Sequence, residues 1–136
     1  MNWIGLTAAA ATFFGVWFGH VAVRRIEFIS PTIWLPALVF AVSGISLELF
    51  SLSTNNRLLS TGLGILGVTV LWDALEFARQ QKRVKKGHAP ANPHNPRHAL
   101  ILKEFPSATT LDLLKREPIG HQVSSEGAGK IFRNTI

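Results

Sequence analysis

The 136-residue chain has no cysteine. That excludes a disulfide-stapled secreted domain and any cysteine-based redox or zinc centre. Charge is scarce as well, at 16% of residues against 47% hydrophobic, and Met1 to Val23 contains no Asp, Glu, Lys or Arg. The net charge of +6 is also unevenly placed. Residues 1–78 hold three basic residues (Arg24, Arg25, Arg57) and four acidic ones (Glu27, Glu48, Asp73, Glu76), whereas residues 79–136 hold eleven basic and four acidic. The two parts therefore carry −1 and +7. A soluble nucleic-acid binder mixes its basic residues into the folded region, so no nucleic-acid partner is expected. No nucleophile–base set, phosphate loop or ligand pair is recognisable, so no enzyme is expected either.

What the chain does have is three long apolar runs. A helix crosses a hydrocarbon core with roughly 20 apolar residues, and the runs at about 3–23, 32–52 and 57–78 meet that length. A cleavable signal peptide wants a basic start, but here Arg24 and Arg25 follow the first run. Ser30 and Pro31 suit the start of the second helix, and Asn55 or Asn56 suits the third. The pattern predicts an all-α fold of three transmembrane helices, up-down-up, over residues 1–86. An extended cytoplasmic tail follows over 87–136.

Lys and Arg favour the cytoplasmic side. Arg24 and Arg25 in the first connection, and Arg79 to Lys86 after the third helix, put the tail inside and the N-terminus outside. The expected location is therefore a membrane, with the tail on its cytoplasmic side. Trp3, Trp34 and Trp72 lie near the expected interfaces.

Thr7, Ala11, Gly15 and Gly19 recur at every fourth position of helix one. Small residues at that spacing let helices approach closely in lipid, within the chain or against a partner. Charges in spans are costly and want partners. Arg24, Arg25, Glu27, Asp73, Glu76 and Arg79 are expected to form one interfacial cluster locking helices one and three, with Glu76 pairing to Arg79 three residues on. Glu48 is expected near the outer surface, within reach of Arg57 or water. His20 is the only histidine in the spans. It is a weak candidate cofactor ligand, as a haem iron would need a second ligand from another chain. Otherwise no cofactor of its own is expected, only lipids at the helix faces.

In the tail, the third helix should run about two turns beyond the span and stop at Gly87. His88 to His98, with Pro90, Pro93 and Pro96, reads as an extended strap. Ser107 to Glu117 reads as one short helix. The apolar residues Leu100, Ile101, Leu102, Phe105, Leu111, Leu113, Leu114 and Phe132 are expected to anchor the tail on a larger membrane-complex subunit. Lys82 to Lys86, including Lys85, are placed to touch anionic lipid headgroups.

Glu76, Phe77, Arg83-Val84-Lys85-Lys86-Gly87, Pro90, Asn92 and Pro93 resemble the end of a family of small prokaryotic three-helix membrane proteins of unknown function. Phe18, His20, Val21, Val23 and Glu27 resemble that family's His-Pro-Ile-Val-Ile-Lys-x-Glu region, although no Pro follows His20 and Ala22 and Arg24 differ. The resemblance covers roughly residues 1–95 and implies a short multi-pass membrane protein, with no activity attached. The resulting expectation is a non-catalytic accessory subunit of a multisubunit, energy-converting membrane complex, respiratory or photosynthetic. The competing expectation is a small homo-oligomeric ion or solute transporter.

Overall fold

The computed structural model describes residues 1–112. Four helices follow one another: α1 (Trp3–Ile29), α2 (Trp34–Ser53), α3 (Arg57–Lys85) and α4 (Pro96–Glu104). Among the described residues there is no strand. The first three helices are long and apolar enough to cross a membrane. At 1.5 Å per residue, α1 and α3 reach about 40 Å, more than the ~30 Å of a hydrocarbon core. The charges are carried by their last turns, after a run already long enough to cross such a core.

Local chemistry explains most helix ends. Asn2 caps α1 by accepting from the Gly5 amide at 3.0 Å. Asn56 caps α3, accepting from Leu58 and Leu59 at 3.0 and 3.2 Å. Gly87 stops α3 with φ +73°, a conformation in which glycine suffers no Cβ penalty. A Cβ there would also collide with the Ser107 carbonyl.

The start of α2 departs from expectation. Ser30 closes α1, its amide bonding Ile26 O at 2.7 Å. Its hydroxyl donates to Thr32 O at 2.7 Å. α2 begins only at Trp34, without a side-chain cap.

α3 is central, with α1 parallel along one side and α2 antiparallel along another. Small residues permit this. Gly15 meets Leu66 and Thr69, Gly19 meets Asp73, and Gly44 meets Leu71 and the Gly67 carbonyl. The small-residue face of α1 is thus filled by its own α3. Ser51 and Ser60 each donate to the other's carbonyl, at 2.8 and 3.0 Å, and tie the α2–α3 turn together. Phe13, Phe14, Trp17 and Phe18 on α1 remain exposed, as do Leu38, Val39 and Val42 on α2. A hydrocarbon environment suits such surfaces.

The buried apolar cluster lies at the other extreme of the chain. Val84, Ala89, Ala91 and Ile101 are buried together, with Leu102, Phe105 and Ala108 packed against them. Residues 88–112 therefore fold back on the three-helix unit. Among the described residues the short helix of this region is α4. Residues 107–112 are not helical, and the rest of that stretch, with Leu113, Leu114 and Phe132, lies outside the described residues. The Asn95-Pro96 step starts the helix instead of breaking the chain. Asn95 Oδ1 accepts from the Arg97 amide at 3.1 Å, and Pro at N1 loses no hydrogen bond.

Candidate functional site

The charged end of α1 is where the polar chemistry gathers. The last carbonyls of any helix lack intrahelical partners. Here the strap supplies them. Asn92 Nδ2 and Asn95 Nδ2 donate to Phe28 O at 3.2 and 3.1 Å, and Asn95 Nδ2 also reaches Ser30 O at 2.9 Å. Arg97 Nη2 donates to Glu27 O at 2.6 Å. A guanidinium at this end also complements the helix dipole. Each asparagine is divided between two tasks, its oxygen shaping the local turn (Asn92 Oδ1 to His94 N, 3.0 Å) and its nitrogen gripping α1.

Glu27 is the centre of this latch. It is 1% exposed. Its Oε1 accepts from Arg97 Nη1 at 2.9 Å and faces His98 Nε2 at 3.1 Å. His98 is fully buried. Its Nδ1 accepts from the Asn92 amide at 2.8 Å, which leaves the ring proton on Nε2, directed at Glu27. The strap is secured at its other side too, where Ser107 Oγ donates to Lys85 O at 2.8 Å and Ala91 N to Thr109 O at 2.8 Å.

The expected single cluster of Arg24, Arg25, Glu27, Asp73, Glu76 and Arg79 is instead divided. Glu76 pairs with Arg79 at 2.7 Å, as expected, and also with Arg83 at 2.8 Å. Arg79 lies over the Trp72 ring at 4.5 Å. Glu27 goes to the strap. Asp73 is buried beside Gly19, and its Oδ2 has no hydrogen-bond partner among the described residues. Arg24 and Arg25 form no ion pair among the described residues. They instead line a recess of about 640 Å³ with His20, Glu27, Phe28 and Gln80. His20 itself is exposed.

Glu48 also departs from expectation. Side chains lean toward a helix N-terminus, so Glu48 points inward along α2 and not toward Arg57. Its carboxyl lies over Gly64 and Gly67, and Oε1 is buried with no hydrogen-bond partner among the described residues. Gly67 is about 15 Å along α3 from Arg57, near the middle of the apolar run. A carboxyl group therefore lies level with the middle of the α3 apolar run.

The tail anchors divide as well. Ile101, Leu102 and Phe105 pack on this chain's own cluster, and Lys85 Nζ lies 4.7 Å from the Phe105 ring centre. Leu100 and Leu111 stay exposed, at 57% and 53%, as does Lys86. Arg97 and His98 were not foreseen as site residues. The available signal was Asn-Pro followed by Arg-His, a capped helix start presenting two donors. Among the described residues, no three His, Cys, Asp or Glu groups are placed to hold a metal ion.

A family model described as a domain of unknown function, DUF4491, matches residues 2–95, and the chain belongs to that family. The match includes Glu27, Asn92 and Asn95 and ends just before Arg97 and His98. Neither the curated proteins nor the solved structures contain a significant match.

Proposed function

We propose that this DUF4491 member is a non-catalytic membrane subunit that assembles with a larger protein in a prokaryotic inner membrane. Its N-terminus lies outside and its latched strap lies in the cytoplasm. The observation that carries the reading is the disposition of the strap. Its polar side chains, Asn92, Asn95, Arg97 and His98, all hold the end of α1, while Leu100 and Leu111 stay exposed. That is the chemistry of a fastened platform with an apolar outer side.

Native membranes solubilised in mild detergent test it. The chain should migrate on native gels far above its 14.9 kDa mass. The variant Leu100→Glu/Leu111→Glu should release it while leaving the latch intact. A wild-type chain that migrates alone would sink the proposal.

A second reading has its own support. Glu48 and Asp73 place unpartnered carboxyl oxygens inside apolar spans, and ionisable groups at such depth often mark ion or proton paths. This reading makes the chain a small transporter acting as a homo-oligomer. It requires cation or proton flux in proteoliposomes that Glu48→Gln or Asp73→Asn abolishes, and the absence of flux in the wild type would end it.

A further inference from the structure

We propose that the recess at the end of α1 binds the phosphate headgroup of an anionic phospholipid. The recess measures about 640 Å³, within the roughly 300–1,000 Å³ of small-molecule sites. Arg24 and Arg25 supply two guanidinium groups to its wall, with His20 one turn before them.

The neighbouring acids do not neutralise these arginines. Glu27 is taken by Arg97 at 2.9 Å. Asp112 lines the same recess and sets one carboxylate against the two arginines, which leaves a positive excess. Gln80 is buried on the α3 side, and its Oε1 accepts from Arg83 Nε at 2.8 Å, which leaves its N–H groups to donate. Thr110 adds a hydroxyl from the strap. The site is thus rich in donors, and the paired guanidinium forks match phosphate oxygens.

The position selects a lipid over a free anion. Arg24 directly follows the 23-residue charge-free run of α1, at the depth where a headgroup phosphate lies. Val21, Phe28 and Ile29 make the adjoining wall apolar, and Val21 and Ile29 are more than half exposed on the side where acyl chains would run. The latch is what builds the recess. Without the strap, Pro90 and Thr110 would not form its far wall. The proposal depends on membrane insertion of α1, and not on the chain having a protein partner.

The test is native mass spectrometry of the full chain, released from micelles doped with phosphatidylglycerol or phosphatidylcholine. Phosphatidylglycerol should be retained preferentially. Each cation near the surface contributes about fivefold, so Arg24→Gln/Arg25→Gln should reduce retention by roughly 25-fold. Lys82→Gln/Lys86→Gln removes the same charge from headgroup contacts outside the recess and should reduce retention by much less. Arg24→Lys/Arg25→Lys should restore part of it, which separates lost binding from lost folding. Equal retention of the two lipids, or an equal loss in the two glutamine variants, would overturn the site. Displacement by millimolar inorganic phosphate would overturn the assignment to a lipid.

Discussion

Replacing Arg97 with Ala tests the latch most directly. Arg97 donates to Glu27 Oε1 at 2.9 Å, to Glu27 O at 2.6 Å and to Ser30 O at 3.3 Å. Its side chain is 13% exposed, and that of Glu27 only 1%, so little solvent screening dilutes the pair. Removing one partner of a buried pair leaves an uncompensated charge, at a cost of roughly 3–5 kcal/mol. The opening equilibrium of the strap should then rise by about a hundred- to several-thousand-fold. Amide hydrogen exchange reads this directly, because a strap that opens locally exchanges through that opening. The amides of Ala91, Asn95, Ala99 and Phe105 are hydrogen-bonded in the closed strap and should exchange faster by that factor. Amides in the middle of α2 and α3 should not change. The double variant Glu27→Leu/Arg97→Leu should recover part of the loss, since it leaves the His98 Nε2–H and the Glu27 carbonyl unpaired but no buried charge. Strap exchange that stays at the wild-type rate in Arg97→Ala would refute the reasoning, and so would a double variant whose loss equals the sum of the two single ones.

Asn95→Ala removes the cap of α4 and two bonds to the end of α1. A cap contributes about 1 kcal/mol and each bond ~0.5–1.5, so strap exchange should accelerate less than in Arg97→Ala and most strongly within α4. Gly44→Ala would bring a Cβ to 2.6 Å from Leu71 Cγ and 2.9 Å from the Gly67 carbonyl. Backbone cannot yield as a side-chain tip can, so the α2–α3 pair should loosen by about 1–3 kcal/mol, measured as a lower unfolding temperature in detergent. Because the chain has no cysteine, topology can be mapped on a clean background. Asn55→Cys should react with an impermeant maleimide in intact cells and Lys103→Cys only after lysis; the reverse pattern would contradict the proposed orientation.

The amino-acid sequence alone determined what depends on neighbours along one helix. Three apolar runs set the three long helices, Asn56 set the cap of α3, Gly87 its stop, and the three-residue spacing its Glu76–Arg79 pair. These outcomes are local, because helical geometry brings such groups together whatever the rest of the chain does. Tertiary structure decided the rest. Glu27 finds Arg97 and His98 at separations of 70 and 71 residues, which no local period encodes. The Asn95-Pro96 step suits an extended strap or a helix start equally well, and the carbonyls of α1 decide by accepting the asparagine amide. Glu48 lies near the end of α2, yet its carboxyl is level with the middle of the α3 apolar run because the side chain leans back and Gly64 and Gly67 of α3 leave room for it. Tertiary closure alone selects among such compatible local states, because only the folded chain supplies the long-range partner and the space.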